Sequence, residues 1–311
     1  MKKRWLSLAV AATAAITVLA GCGSKAAETT AAATEAATTE AASSEAAESS
    51  AEETKAEAAA EGEIPAPEGD DNKISIGVTP VPHAEIVNDV VVPKLEAAGW
   101  DVEVVEFNDY VQPNTSLEDG EIDANYFQTI RYLEEQNKER GLHLVEVAGI
   151  HLEPMGIYSK NYKSLEELPD GATIAVPNDG SNESRAIKLL ADNGLITLAE
   201  TEDLYNLTSI AENPHNFEIT ELDAANLPRS LDDVDAAVIN GNYALEANPE
   251  KDALAAELAD SDESYKYINY LVVKEGNEES TKTKALIAAL QNDDVKNYIE
   301  EKYSGSVIPA F

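Results

Sequence analysis

Along the chain, the alternation of apolar and polar positions changes character several times. Ile74–Val78 is a short apolar run of strand type, and Val102–Phe107 sets acids on one face against Val and Phe on the other, the period-two pattern of a half-buried strand. Between them, apolar residues at helical spacing predict a helix from His83 to Ala98, with Pro93 as its break. A helical pattern follows over Gln128–Arg140, and a strand over Leu144–Ala148. After Lys160 the scheme restarts. Thr173–Val176 reads as a strand, Glu183–Asn193 as a helix stopped by Gly194, and Phe217–Leu222 and Ala236–Ile239 as strands. Tyr270–Val273 is a last strand before two terminal helices, Thr281–Gln291 and Asp294–Lys302. Strands that alternate with helices predict an α/β protein, and the restart after Lys160 suits two lobes with a crevice between them.

The first 72 residues follow another rule. Lys2-Lys3-Arg4 precedes an uncharged, mostly apolar run from Trp5 to Ala20, which is short for a membrane span of roughly 20 residues and has the form of an export signal. It ends in Leu19-Ala20-Gly21-Cys22, which resembles the lipobox of bacterial lipoproteins. That resemblance implies removal of residues 1–21 and a diacylglyceryl group on Cys22. Cys22 is the single cysteine of 311 residues, so an intramolecular disulfide is excluded. Residues 23–63 contain no Leu, Ile, Val, Met, Phe, Tyr or Trp. A segment of Ala, Glu, Thr and Ser cannot bury enough apolar surface to offset its ordering entropy, so residues 22–72 are expected to be a tether. Its length suggests the envelope of a cell with a single membrane.

Charge narrows the partners. The net charge is −37, divided as +3 in residues 1–22, −11 in residues 23–72 and −29 in residues 73–311. So acidic a body excludes nucleic-acid binding, which needs clustered Lys and Arg, and electrostatic docking on anionic lipid. Nucleotide-binding glycine loops, the His-Glu-x-x-His zinc signature and the Gly-x-Ser-x-Gly nucleophile elbow are missing. The histidines His83, His143, His151 and His215 lack metal-ligand spacing, which leaves open only a site assembled in three dimensions. No cofactor is implied, and paired carboxylates are too common here to mark a glycosidase.

Six segments resemble the NlpA/MetQ family of substrate-binding lipoproteins, which serve methionine ABC importers. They are Gly77-Val-Thr-Pro-Val-Pro-His-Ala-Glu-Ile86, Phe107-Asn-Asp-Tyr-Val-Gln-Pro-Asn114 and Ile122-Asp-Ala-Asn-Tyr-Phe-Gln128. Ala175-Val-Pro-Asn-Asp179 follows, with Asn182 and Arg185, then Leu227-Pro-Arg-Ser-Leu-Asp-Asp233 and Ala237-Val-Ile-Asn-Gly-Asn-Tyr243. The resemblance implies a two-lobed fold of the type II periplasmic-binding-protein kind, with ligand in the interlobe cleft. Residues 73–155 and 244–311 would form one lobe, and 156–243 the other. It implies no enzymatic activity. The expected protein is a receptor lipid-anchored through Cys22 on the extracytoplasmic face, which captures L-methionine or a close relative and hands it to a permease with its ATPase subunit.

The residues agree with an amino-acid site. Arg185 carries a planar fork suited to a carboxylate and is expected at a helix start, whose free N–H groups favour an anion. Asn182 could cap that helix or bond the ligand. Asn240 ends a strand, where α/β folds place ligand contacts, and a carboxamide can serve both ammonium and carboxylate, although Asn-Gly is also a turn signal. Tyr110, Phe127 and Tyr132 would wall the side-chain pocket, where sulfur–aromatic contacts suit a thioether, although core packing would also explain each of them. Asn125, Tyr158, Asn269 and His83 are further candidates. One position departs from the family pattern: Thr129 stands where many methionine-binding members carry a histidine. A related amino acid, a methionine-containing peptide, a metal or oxyanion receptor of the same fold, and an extracellular hydrolase remain alternatives at this level.

Overall fold

In a computed structural model of the chain, residues 63–69, 71–201, 204–247, 253–259 and 264–311 are described. The export signal, Cys22 and the tether as far as Gly62 lie outside them. The expected tether end at residue 72 does not hold. Ile64, the first large apolar side chain after the low-complexity stretch, packs on the core of the first lobe, and Trp100 Nε1 donates to the Pro65 carbonyl at 2.8 Å.

The first lobe is built from β1 (Lys73–Val78), α1 (Val92–Ala97), β2 (Asp101–Glu106), α2 (Gln112–Glu118), β3 (Ala124–Thr129), α3 (Ile130–Arg140) and β4 (Leu144–Leu152). The chain then crosses to β5 (Gly156–Tyr158), β6 (Thr173–Pro177), α4 (Gly180–Asp192), a small hairpin of β7 (Thr197–Leu198) and β8 (Ile210–Glu212), and β9 (Glu218–Leu222). It continues through α5 (Leu227–Ser230), β10 (Ala236–Ile239), α6 (Gly241–Ala247) and β11 (Ala255–Ala256). It returns for β12 (Ile268–Lys274), α7 (Thr281–Leu290), α8 (Asp293–Tyr303) and β13 (Ile308–Pro309). One sheet runs β13-β4-β12-β3-β1-β2, with β1 parallel to β2 and β3 and β12 antiparallel to its neighbours. The other runs β11-β5-β10-β6-β9, with β6 parallel to β9 and β10.

Both sheets are covered on two faces, and the period-two rule sorts their side chains. In β6, Ile174 and Val176 point to the α4 side with Ala186, Ile187 and Leu190, while Ala175 faces Leu227 and Ile239 on the other. In the first lobe, Ile74, Ile76 and Val78 pack under α7 and α8, and Leu117, Leu133 and Val272 form the opposite layer. The edge strand β2 turns Asp101, Glu103 and Glu106 to solvent, which discourages strand addition there.

Several element boundaries differ from the sequence reading. The helix expected from Gln128 begins at Ile130, because Ala124–Gln128 is buried on both faces as strand β3 and shows no alternation. Pro93 does not break its helix. It sits in the first turn of α1, where a missing N–H costs nothing, after wider turns over Pro80–Ala84 and Val87–Val91. The stretch 244–311, expected wholly in the first lobe, is divided: β11 pairs with β5 in the second sheet, so the return crossing comes only after it.

Candidate functional site

The C-terminal ends of β6 and β10 and the start of α4 face β3 and β12 across a cleft. Tyr110, Phe127, Gln128, Thr129, Tyr132, Glu153, Asn182, Arg185, Asn240, Gly241, Asn242 and Asn269 line it, and their side chains nearly close it. Seven expected site residues meet there: Tyr110, Phe127, Tyr132, Asn182, Arg185, Asn240 and Asn269.

Their orientations follow from the strand ends. α4 starts three residues earlier than expected, so Asp179 is its N-cap and Asn182 lies in the first turn. Asp179 Oδ1 accepts from the Asn182 backbone N–H at 2.9 Å and from Asn182 Nδ2 at 2.8 Å. A carboxylate only accepts, so Asn182 must turn its oxygen the other way, where it accepts from Asn240 Nδ2 at 2.7 Å. Asn240 Oδ1 is left buried and without a partner among the described residues. The same holds for Asn242 Nδ2, whose Oδ1 accepts from the Tyr110 hydroxyl at 2.6 Å. The cleft therefore presents one unpaired acceptor and one unpaired donor. Burial pushes the Asp179 carboxyl up to about 6, which leaves it ionised at neutral pH.

Arg185 is not where the sequence placed it. With the earlier helix start it sits in the second turn of α4, so the free N–H groups of that helix serve other residues. Its fork is engaged: Nε donates to Glu257 Oε1 at 2.7 Å and Nη2 to Glu257 Oε2 at 2.5 Å, while Nη2 also donates to the Glu153 carbonyl at 2.7 Å. Tyr267 lies under the guanidinium, 4.1 Å from ring centre to Cζ. None of these bonds uses Nη1.

The wall of the pocket is aromatic. Tyr110 stacks on Tyr243 at 4.9 Å between centroids and meets Phe127 and Tyr132 at 5.8 and 5.7 Å. Tyr132 donates its hydroxyl to the Tyr110 carbonyl at 3.1 Å. Thr129, the departing residue, caps α3 and accepts from the Tyr132 backbone N–H at 3.4 Å, so it helps aim the ring that follows.

Three of the further candidates lie outside the cleft lining. Asn125 is buried behind it, donating to Asn114 Oδ1 at 2.8 Å and accepting from Gln128 Nε2 at 2.9 Å, so it holds the lining residue Gln128. Tyr158 opens on a different groove beside Lys160, Pro228 and Arg229. His83 is fully buried, and its Nε2 lies 3.2 Å from Asn269 Oδ1. His83, His151 and Glu153 bring three metal-type ligand atoms within 4.8 Å of one another. Each already has partners: Thr79 Oγ1 at 2.8 Å from His83 Nδ1, the Tyr126 hydroxyl on His151 Nδ1, and Glu153 Oε1 at 2.7 Å from His151 Nε2. The cluster closes as a hydrogen-bond network. Burial lowers His83 to about 4 and His151 to about 3 and raises Glu153, against the pull of His83 and Arg185.

Gln128, Glu153 and Asn242 were missed by the sequence reading. Asn242 had a signal, because it belongs to the same Asn-Gly-Asn motif as Asn240. Glu153 had none among 59 acids. Gly241, between the two asparagines, is required by close approach: a Cβ there would lie 2.8 Å from Glu153 Cβ and 3.1 Å from the Pro154 carbonyl.

A contact away from the lining joins the lobes. Glu135 on α3 accepts from the Ser181 backbone N–H at the start of α4 at 2.9 Å. A Cβ on Gly180 would sit 2.2 Å from Glu135 Oε1.

Residues 74–311 match the NlpA lipoprotein family. The methionine-binding lipoprotein MetQ of Bacillus subtilis is 40% identical over 259 residues, which cover 81% of this chain and 93% of that one. The D-methionine-binding lipoprotein MetQ of Escherichia coli is 39% identical over 246 residues, 78% and 89% of the two chains. Among solved structures, a nutrient-binding protein from Burkholderia cenocepacia bound to methionine superposes with a TM-score of 0.72 at 45% identity, covering 76% of this chain and all of that one.

Proposed function

The chain belongs to the NlpA lipoprotein family, and on that footing we propose that it is the methionine-binding receptor of an ABC importer. The observation that carries the ligand class is the pair of unpartnered atoms in the cleft. Asn240 Oδ1 is an acceptor suited to an α-ammonium, and Asn242 Nδ2 is a donor suited to an α-carboxylate. A simple oxyanion would leave Asn240 Oδ1 facing negative charge, so the pair favours a zwitterion. Arg185 adds positive charge for the carboxylate and Glu153 negative charge for the ammonium. Tyr110, Phe127 and Tyr132 form an apolar surface for a thioether side chain.

The lobes meet around this cleft through Tyr110–Asn242 and Glu135–Ser181. A ligand that contacts both lobes stabilises closure by the difference between its open and closed contacts. Nothing in such a cycle requires bond chemistry. The lipobox at Cys22 supports anchoring at the extracytoplasmic face, and no helix among the described residues is long and apolar enough to cross a membrane. The permease and its ATPase subunit are the partners that this role entails.

The test is what the protein carries and binds. Mass spectrometry of the supernatant from denatured, purified protein should show methionine, and calorimetry of the stripped protein should show saturable methionine binding at one site. Carriage of another amino acid would keep the receptor and change its ligand; binding of no amino acid would overturn the proposal.

A further inference from the structure

Arg185 and Glu257 are 72 residues apart and lie on different elements, yet Glu257 meets the guanidinium along its Nε–Nη2 edge with both carboxylate oxygens. Glu257 is itself held in place. It follows β11, its backbone N–H donates to the Met155 carbonyl at 3.0 Å, and its Oε2 accepts from the Met155 backbone N–H at 2.7 Å. Its side chain is 16% exposed and that of Arg185 5%, so the pair is largely shielded from water. A buried guanidinium without an anion carries a large desolvation penalty, and a bidentate carboxylate both offsets it and removes the rotation of the fork. The Glu153 carbonyl on Nη2 and the Tyr267 face at 4.1 Å complete three constraints on one planar group.

We propose that Glu257 is the positioning residue that sets Arg185 for the ligand carboxylate. It occupies the edge of the fork that a ligand would otherwise compete for, so Nη1 is the nitrogen that Arg185 offers to the cleft. The carboxylate is bound by a nitrogen whose direction is decided before the ligand arrives, which lowers the ordering cost of binding. Glu257 does not touch the ligand. Its role rests on the reading of Arg185 as the carboxylate partner.

The discriminating measurement is the ratio of affinities for methionine and methioninol, which shares the ammonium and thioether but lacks the carboxylate. In the full chain, E257Q keeps the shape of the side chain and loses its charge. It should weaken methionine binding by about tenfold while methioninol changes far less, so that the ratio falls by about tenfold. E257D, whose carboxylate is drawn back by one methylene from Nε and Nη2, serves as the second variant and should shift the ratio in the same direction. A merely structural role would weaken both ligands alike, and an unchanged ratio in these variants overturns the proposal. R185A separates the two layers: it should collapse the ratio by itself, and E257Q added to it should have no further effect on that ratio. If R185A leaves the ratio intact, the reading of Arg185 is what fails, and the positioning role fails with it.

Discussion

Asn182 Oδ1 accepts a 2.7 Å hydrogen bond from Asn240 Nδ2, and this contact decides which end of the Asn240 carboxamide faces the cleft. The direction is imposed from Asp179, whose carboxylate only accepts and so turns the Asn182 amide nitrogen toward itself.

Asp179→Asn should therefore disturb the ligand site without touching the ligand. An asparagine at 179 can donate as well as accept, so Asn182 and Asn240 lose their enforced orientation. Methionine affinity should fall by about tenfold, whereas Asn240→Ala, which deletes the acceptor itself, should cost about a hundredfold. Calorimetry on both variants checks the order; equal losses would remove the relay from the explanation.

Gly180→Ala should loosen the contact between α3 and α4 at a point remote from the ligand. Its Cβ would lie 2.2 Å from Glu135 Oε1, so the flexible end of Glu135 must move aside, which strains its bond from the Ser181 backbone N–H. We expect methionine binding to weaken by no more than about threefold, read by calorimetry, because a side-chain end yields more readily than backbone. In the background Glu135→Ala the same glycine change should have little further effect, because the clashing atoms are gone.

Acid should destabilise the folded body through His83 and His151. Both are held neutral by burial, at about 4 and about 3, while in the unfolded chain they titrate near 6.5. As pH falls below 6.5 the unfolded state takes up protons that the folded state does not, so stability drops between 6.5 and 4. The loss from His83 is on the order of 3 kcal/mol across that window. Asp179 and Glu183, raised by burial to about 6 and about 7, act in the opposite sense, because their protonation favours the folded state as pH falls. Comparing denaturation midpoints of His83→Asn and the parent protein from pH 7 to pH 4 isolates the histidine. The variant should show the shallower decline.

Cys22→Ser should abolish lipid attachment and release the receptor into the medium or the soluble extracytoplasmic fraction, with methionine binding by the released protein unchanged. Membrane retention of the serine variant would show that Cys22 is not the anchor.

The sequence by itself determined a good deal. The period-two run located β2 and short apolar runs located β1, β6 and β10, because a strand with one covered face alternates while a strand covered on both faces stays apolar throughout. Short motifs placed Asn182, Arg185 and Asn240 among the residues that line one cleft, as the family resemblance implied. Local patterns failed where burial erased them. β3 is covered on both faces and shows no period, so its end was taken for the start of α3. The tertiary structure alone decided what each polar group faces. Glu257 stands 72 positions from Arg185 and Glu153 stands 32 before it, and in a chain with 59 acids neither differs from its neighbours until the fold brings it against a guanidinium. Hydrogen-bond direction depends on partners that are distant in the chain, and periodicity carries no record of them. The sequence therefore named many of the groups that line the cleft, while contacts made in the fold settled which of their atoms are left without a partner.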